Sequence, residues 1–417
     1  MSDGTSKLVR SDELEALLNS RSIRGRAAIV GVGESTYYRR GQSPEPEFKL
    51  ALRAILAACE SAGLSSADID GFASYSDDRS DAVRLATALG VKELRFSNMQ
   101  WGGGGGGGAA AVTNASAAIA GGLADCVVVI RSLCQGKARY GQGGMALGYS
   151  SQVATTIAGE MAFPVPYGAV SPAQRFALKA RRFMHEHGVE QGALRAISLA
   201  AYKHAQANPR AIMYGKPLDE EKYDLSRWIV EPFHLFDSCL ENDGAAAVLL
   251  VAGERANDFP HPPAYVLGGA GGSSYRHAAT SHSAPDYGTA NFKAVAGRVY
   301  DMAGVSSGDV DVIQAYENFT GGVVMGLAEH GFFKPEEANS FLTVANLTAP
   351  SGRLPLNTSG GHLAECYMHG MNLIIEAVRQ IWGQSCNQVP GVDVSMMLSG
   401  PMVTPVSSLL LGSEATL

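Results

Sequence analysis

The chain has 417 residues, of which 46% are hydrophobic and 18% are charged, and its net charge is −7 at pH 7. This composition is typical of a globular protein with enough chain for two cores. The acidic balance and the lack of any basic run argue against nucleic acid as a partner, and no apolar stretch is long enough to span a bilayer, so no membrane partner is expected.

The cysteines and the N-terminus indicate the cellular compartment in which the protein is expected to lie. The six cysteines form no Cys-x-x-Cys pair, which argues against a zinc site and against a disulfide framework. The first 26 residues lack the apolar segment of a secretory signal and are predicted to form a short polar extension. Reduced thiols in a cytoplasmic protein are therefore expected.

The first half of the chain alternates short apolar strands with helices. The pattern predicts strands at Ala27–Val32, Gly71–Ser74, Arg95–Met99, Asp125–Ile130 and Ala245–Val251, and helices at Phe48–Ser61, Asp81–Leu89 and Ala109–Ala120. Between the last two strands, Ser132–Trp228 is richer in polar and aromatic residues and contains predicted helices at Pro172–His187 and Ala193–Asn208. We interpret this segment as a loop excursion that covers the mouth of an active site.

A second round of the same alternation begins near His261. Strands are predicted at Ala264–Leu267, Val312–Tyr316, Val394–Leu398 and Val406–Leu411, and helices at Phe292–Ala303, Gly321–His330 and Met371–Trp382. The helix-start signal ADID at Ala67–Asp70 has its counterpart in GDVDV at Gly308–Val312. Alternation repeated twice predicts an α/β protein with two similar halves, 27–260 and 261–417, each with a mixed sheet.

Two loops stand out because each leads into an apolar helix. The run Gly102–Gly108 comes directly before the small-residue helix and is typical of a tight turn that allows close backbone approach. The segment NTSGGHLAECYMHG, Asn357–Gly370, has a glycine pair, a four-residue spacer and the tripeptide Cys366-Tyr367-Met368 before its last glycine. Both loops are candidates for a functional site.

These loops, together with Phe236–Leu250 and Tyr316–Phe319, carry a resemblance to the thiolase superfamily that covers about Ala27 to Leu411. The sequence is most similar to its sterol-carrier-protein-x or lipid-transfer-protein branch. The resemblance implies a thiolase fold, in which two similar βαβ halves form a five-layer αβαβα sandwich.

The sequence departs from the family at its reactive residues. Gly105 stands where thiolases have the nucleophilic cysteine, Tyr367 replaces the histidine base, and Leu398-Ser399-Gly400 replaces the C-terminal Cys-x-Gly. Tyr316 replaces the Asn or His that helps to bind the thioester oxygen. Because an acyl-enzyme requires a thiolate and its base, classical thiolase activity is disfavoured.

The tyrosine replacements are similar to those of thiolase-like aldolases of bacterial steroid side-chain degradation. This resemblance implies retro-aldol cleavage of a 17-hydroxy C22 steroid acyl-CoA to a 17-keto steroid and propionyl-CoA, without a covalent intermediate. Coenzyme A would enter as part of the substrate thioester, and no cofactor would be covalently bound. The resemblance also implies a homodimer that joins a small OB-fold/zinc-ribbon partner, which would carry the only zinc, in a heterotetramer.

Such a cleavage needs a base, an acid and stabilisation of the enolate. The resemblance implies that the backbone N–H groups of Gly105 and Gly400 hold the enolate oxygen. Tyr316 and Tyr367 would transfer the protons; our hypothesis is that Tyr367 deprotonates the hydroxyl and Tyr316 serves the enolate, although the sequence leaves this order open. A free phenol has a pKa of about 10, so the base needs help from a neighbour, and His362 and His369 are the candidates.

Two other functions stay open at this point: a non-catalytic subunit that binds acyl-CoA or lipid, and an acyltransferase. Cys366 is predicted to be buried and inert, while Glu317 and Asp243 are predicted to fix loops by hydrogen bonds. The basic residues of the excursion either reach coenzyme A phosphates or form an ordinary solvated face. They are Lys137, Arg139, Arg175, Lys179, Arg181 and Arg182.

Overall fold

The computed structural model describes residues 22–76, 78–102, 104–134, 162, 164–275 and 286–417. The strands are β1 (Ala27–Glu34), β2 (Tyr38–Arg39), β3 (Gly71–Tyr75), β4 (Phe96–Gln100), β5 (Cys126–Leu133), β6 (Trp228–Val230), β7 (Phe233–His234), β8 (Asn242–Ala252), β9 (Ala264–Gly272), β10 (Val312–Ala315), β11 (Val394–Ser399) and β12 (Val406–Gly412). The helices are α1 (Glu47–Ala62), α2 (Ala82–Leu89), α3 (Gly108–Ala120), α4 (Pro172–His187), α5 (Gln191–Ala205), α6 (Glu220–Asp224), α7 (Ala296–Ala303), α8 (Thr320–Glu329), α9 (Ala338–Phe341), α10 (Val344–Leu347) and α11 (Met371–Trp382).

The strand order shows an internal duplication. The first half has the order β4-β3-β5-β8-β1 and the second half the order β10-β11-β12-β9. In each half a parallel pair (β3 with β5, β10 with β11) is followed by two antiparallel pairs. The halves join where β1 pairs with β9 in an antiparallel fashion. Two similar halves with mixed strand pairing are therefore confirmed, and their strands form one continuous sheet rather than two separate ones.

Helices lie between the strands of the two halves and outside them. The central helices α3 and α11 contact strands of both halves, whereas α1 packs on β1 and β8, and α7 packs on β9 and β12. The outer helices approach glycines: a Cβ added to Gly31 would lie 2.3 Å from the carbonyl oxygen of Ala58 on α1, and one added to Gly268 would lie 2.8 Å from that of Val299 on α7. This is the predicted α/β sandwich.

The start of α3 is held by the other half of the molecule. Ser399 Oγ accepts a hydrogen bond from the N–H of Ala109 at 3.1 Å, and Ser407 Oγ accepts one from Ala110 at 3.0 Å. These serines act as caps for N–H groups that have no partner within the helix. The first turn of α3 is therefore fixed relative to β11 and β12.

The predicted excursion contains more structure than the sequence indicated. Helix α4 has the predicted bounds and α5 lies within three residues of them, but the pair β6-β7 and the short helix α6 were not predicted. Residues 135–161 and 163 of the excursion, including Lys137 and Arg139, lie outside the described residues, as do residues 1–21 of the extension. Among the described helices, none is both long and apolar enough to cross a bilayer. The division of the chain into halves at residues 260 and 261 stays a prediction.

Candidate active site

The loops before the two central helices meet in the interior of the molecule, where an added Cβ at Gly108 would lie 3.6 Å from the carbonyl oxygen of His369. A 3₁₀ turn at Gly104–Gly107 leads into α3, and the segment 357–370, with a π-helical turn at Gly361–Glu365, leads into α11. The hydroxyl of Tyr75 on β3 donates a hydrogen bond to the carbonyl oxygen of His369 at 2.9 Å. The site is therefore built from both halves.

The two predicted tyrosines lie side by side. The Oη atoms of Tyr316 and Tyr367 are 2.6 Å apart, and their rings are inclined at 73°. Both side chains are buried, with exposures of 3% and 2%. A short hydrogen bond between two buried hydroxyls allows a proton to pass directly from one to the other.

A side chain at position 105 would have no room, because Tyr316 fills the space next to Gly105. A Cβ added to Gly105 would lie 2.0 Å from Cε2 and 2.3 Å from Oη of Tyr316, far inside van der Waals contact. The end of the phenol ring thus occupies the volume into which a side chain at position 105 would project. The glycine at position 105 and the tyrosine at position 316 therefore depend on each other, because the phenol fits only where position 105 has no side chain.

Gly400 lies directly against the glycine turn. Its φ is +70°, and an added Cβ would lie 2.3 Å from both N and Cα of Gly106. No acceptor among the described residues takes a hydrogen bond from the Gly400 N–H. The backbone segments that carry Gly105 and Gly400 are therefore adjacent, as they must be if both N–H groups bind one oxygen atom. The binding of the enolate oxygen by these two N–H groups stays a prediction.

Asn357 fixes the strand end that carries Tyr316. Its Oδ1 accepts from the Ala315 N–H at 2.7 Å and its Nδ2 donates to the Ala315 carbonyl at 2.9 Å, while the Tyr316 N–H donates to Leu398 O at 2.9 Å. Asn357 has a φ of +52°, which asparagine tolerates better than most residues. Asn357 was not among the predicted site residues, although an asparagine shortly before a Gly-Gly turn was a signal available in the sequence.

Tyr367 is held by its backbone and flanked by two histidines. Its N–H donates to Asn242 Oδ1 at 2.5 Å. The ring centres of His362 and His369 each lie 5.0 Å from that of Tyr367. The structure therefore brings both candidate helpers to the tyrosine.

Burial sets the charge of these histidines. It lowers the pKa of His362 to about 3 and holds the pKa of His369 well below its ordinary value, where Arg131 and His362 add to the effect. Both rings are neutral at physiological pH. They can assist a tyrosine as hydrogen-bonding groups but not as cations.

Buried carboxyl groups lie beneath the loop. Burial raises the pKa of Glu317 to about 8 and that of Glu365 to about 7. Glu317 Oε2 accepts from the His362 N–H at 3.0 Å, and Asp243 Oδ2 accepts from the Ser43 N–H at 3.2 Å, which confirms their predicted role in fixing loops. Burial also raises the pKa of the Cys366 thiol well above its ordinary value, as expected for an inert cysteine.

The remaining predictions concern metals, disulfides and coenzyme A. All six cysteines are free. Within the described part of the chain, no three His, Cys, Asp or Glu side chains are grouped to hold a metal. Of the excursion's basic residues, Lys179 is buried with its ammonium 5.6 Å from the ring centre of Tyr287, and Arg182 pairs with Glu186 at 2.6 Å. A contact of either with coenzyme A stays a prediction.

The fold and the replaced nucleophile define a class, that of thiolase-like proteins. Residues 272–412 match the family described as thiolase C-terminal domain-like. Human mitochondrial 3-ketoacyl-CoA thiolase superposes with a TM-score of 0.67 over 94% of this chain and 99% of that chain, at 14% identity, which shows the fold.

Nearer relatives give the family. A steroid side-chain-cleaving aldolase of Thermomonospora curvata is 39% identical over 393 residues, covering 94% of this chain and 98% of the relative. A 17-hydroxy-3-oxo-4-pregnene-20-carboxyl-CoA lyase of Mycobacterium tuberculosis is 37% identical, covering 94% and 100%. The solved structure named Ltp2-ChsH2(DUF35) aldolase is 36% identical, with a TM-score of 0.86 over 95% of this chain and 100% of that chain. The chain belongs to this thiolase-like family of the sterol-carrier-protein-x branch.

Proposed function

We propose that this protein is a steroid side-chain aldolase. It cleaves a 17-hydroxy C22 steroid acyl-CoA by a retro-aldol reaction into a 17-keto steroid and propionyl-CoA, without a covalent intermediate. The observation that carries the proposal is the Tyr316 phenol in the space of a side chain at Gly105, 2.6 Å from the Tyr367 hydroxyl. Such a site has no nucleophile for an acyl-enzyme but has two groups that transfer protons.

The reaction divides into steps that these residues can perform. Tyr367 accepts the proton of the β-hydroxyl as its own phenolic proton passes along the hydrogen bond to Tyr316, and the bond between the α- and β-carbons breaks to give the ketone and a thioester enolate. The N–H groups of Gly105 and Gly400 bind the enolate oxygen, and Tyr316 gives its own proton to the α-carbon as it receives that of Tyr367. Both phenols are neutral again at the end of the step. No net proton is gained or lost.

The relatives support the substrate. Two that cover nearly the whole chain are named for cleavage of a steroid side chain and for lysis of a 17-hydroxy pregnene carboxyl-CoA. Coenzyme A then belongs to the substrate, and the proposal includes no covalently bound cofactor. We also place the protein in the cytoplasm.

The proposed assembly is a homodimer that binds a small OB-fold/zinc-ribbon protein to form a heterotetramer, with zinc only in that partner. A neighbour with a TM-score of 0.86 is named as a complex with a DUF35 protein. Strand β4 lies at one edge of the sheet, and Met99 on this strand and Trp101 directly after it are 46% and 92% exposed, which suits pairing with a second copy. Light scattering should give the mass of a dimer for the chain alone and of a heterotetramer with the partner.

The test is cleavage by the complex. The chain would be co-expressed with a small OB-fold/zinc-ribbon protein of the proposed kind, incubated with the 17-hydroxy C22 steroid-CoA and assayed by mass spectrometry. Formation of both the 17-ketone and propionyl-CoA supports the aldolase. A thioester that binds but stays intact across a panel of β-hydroxyacyl-CoAs would favour a binding subunit, and acyl exchange without C–C cleavage would favour an acyltransferase.

A further inference from the structure

The peptide group that joins Cys366 to Tyr367 is held at both of its polar atoms by asparagine side chains. Its N–H donates to Asn242 Oδ1 at 2.5 Å, and its carbonyl oxygen accepts from Asn372 Nδ2 at 3.1 Å. Asn242 begins β8 in the first half, whereas Asn372 lies in the first turn of α11 in the second half. Two elements of different halves therefore fix the peptide from which the Tyr367 side chain extends.

The orientation of both amides follows from their partners. A backbone N–H only donates and a carbonyl oxygen only accepts, so Oδ1 of Asn242 and the NH₂ group of Asn372 must face the peptide. Asn372 Oδ1 then lies 3.2 Å from Nε2 of His362, and its Nδ2 is also 3.2 Å from Glu365 Oε2. Toward the peptide, Asn242 thus acts as an acceptor and Asn372 as a donor.

Asn242 serves the peptide with its oxygen alone. Its side chain is fully buried, and among the described residues no acceptor takes a hydrogen bond from its Nδ2. A buried donor without a partner costs stability, so the amide satisfies the N–H of Tyr367 while it leaves an NH₂ group of its own unsatisfied. This exchange brings little net stability. Its effect is to fix the place and direction of one peptide.

The position of this peptide determines where the Tyr367 hydroxyl lies. The hydroxyl is at the far end of the side chain, so a small rotation of the peptide moves Oη by more than it moves the backbone. This Oη lies 2.6 Å from that of Tyr316, whose strand end is itself held by the amide of Asn357. A displacement of about 1 Å at a reacting group costs on the order of 10²-fold in rate. Both phenols therefore depend on asparagine amides for their alignment.

We propose that Asn242 is a positioning residue for the cleavage. Its Oδ1 holds the N–H of Tyr367 so that the two hydroxyls stay within hydrogen-bond distance, and Asn372 holds the carbonyl oxygen of the same peptide. The inference rests on the proposed function and deepens it, because it assigns to the first half a residue that orients a tyrosine of the second half. Neither amide gives or takes a proton in the reaction. Asn242 acts through Tyr367.

The activity test replaces Asn242 in two ways in the complex with the proposed partner. Asn242→Leu fills the site without an acceptor, whereas Asn242→Asp keeps an acceptor oxygen and loses only the NH₂ group, which has no partner among the described residues. We expect kcat to fall about 10²-fold for the leucine variant, with KM nearly unchanged, and to stay within about tenfold of wild type for the aspartate variant. Asn346→Leu is the matched control: it removes a side-chain hydrogen bond to the carbonyl oxygen of Phe341 on α9 and should leave kcat unchanged.

A structural readout separates positioning from a general loss of stability. In crystal structures of the variants, the distance between the Oη atoms of Tyr316 and Tyr367 should exceed about 3.5 Å in Asn242→Leu and stay near 2.6 Å in Asn242→Asp. Asn372→Leu breaks the bond at the other end of the peptide, should also lower kcat and lengthen this distance, and decides the question if Asn242→Leu does not fold. Wild-type kcat in either folded leucine variant, or an aspartate variant as slow as Asn242→Leu, would overturn the inference and leave the aldolase intact. If the wild type cleaves no β-hydroxyacyl-CoA, the proposed function fails and the inference fails with it.

Discussion

The glycine turn before α3 and the loop before α11 are equivalent elements of two similar halves, yet their contents are opposite. The first consists of backbone alone at Gly104–Gly107, while the second contains the buried side chains of His362 and Tyr367. The emptied turn is what allows Tyr316, which follows β10, to enter the centre of the site. Duplication thus supplied two loops, one that offers backbone donors and one that offers side chains.

The largest expected effect comes from removing the side chains that the second half contributes. Tyr316→Phe and Tyr367→Phe each delete one hydroxyl of the 2.6 Å pair, and we expect the cleavage rate to fall about 10²–10⁴-fold in each. The double variant should be little worse than either single one, because the pair acts as a unit. Tyr202→Phe, a buried tyrosine on α5, is the control and should keep its activity. Wild-type turnover by either active-site variant would contradict the assignment.

The second effect comes from refilling the first-half turn. In Gly105→Ala the new methyl group would lie about 2 Å from the ring of Tyr316, and a displacement of about 1 Å at a reacting group costs on the order of 10²-fold in rate. We expect cleavage to fall by this amount and the protein to lose about 1–3 kcal/mol of stability. Gly192→Ala, where an added Cβ meets no atom within 4 Å, is the matched control. If both variants cleave at the wild-type rate, Gly105 and Tyr316 are not coupled.

The outline of the site could be predicted from the sequence because a resemblance aligns positions. Gly105, Tyr316, Tyr367 and Gly400 were predicted this way and lie near one another in the structure, while their catalytic roles stay predictions. Periodicity predicted helices such as Met371–Trp382 at the observed bounds. The reason for a glycine at position 105 could not be predicted, because the space beside it is filled by the ring of Tyr316, more than 200 positions away in the sequence.

Two buried carboxyl groups, those of Glu317 and Glu365, lie at the loop before α11, and their raised pKa values can be tested by varying the pH. The pKa of Glu317 is about 8 in the folded chain and near 4.5 when exposed, so between these values the folded protein holds a proton that the unfolded chain has lost. The contribution of Glu317 to stability should therefore fall as pH rises from 5 to 8, whereas buried histidines such as His362, whose pKa is lowered, contribute the opposite slope below about pH 6.5 in wild type and variant alike. Glu317→Gln removes the carboxyl ionisation and keeps an acceptor for the His362 N–H, so the Tm of the variant should rise relative to that of wild type as pH increases over this range.

Thermal unfolding at pH 5, 6, 7 and 8 measures this difference. Glu365, with a pKa of about 7, contributes a residual slope of the same sign in both proteins. Glu60→Gln, at an exposed position on α1, is the control and should keep the wild-type dependence of Tm on pH. Parallel curves for wild type and Glu317→Gln would show that Glu317 ionises normally in the folded state.

The smallest effect concerns the hydrogen bond that holds the start of α3 against β11. Ser399→Ala removes the acceptor for the Ala109 N–H at the start of α3, and loss of such a cap costs about 0.5–2 kcal/mol. Ser395→Ala, on the same strand, removes a buried hydroxyl whose Oγ has no partner among the described residues, and should be neutral or slightly stabilising. Urea unfolding of the two variants compares them directly. The Ser399 cap joins β11 to the helix that follows the glycine turn, so its loss should also loosen the contact of Gly400 with Gly106 and lower the cleavage rate. Equal stabilities of the two variants would mean that apolar packing alone holds the two halves in register.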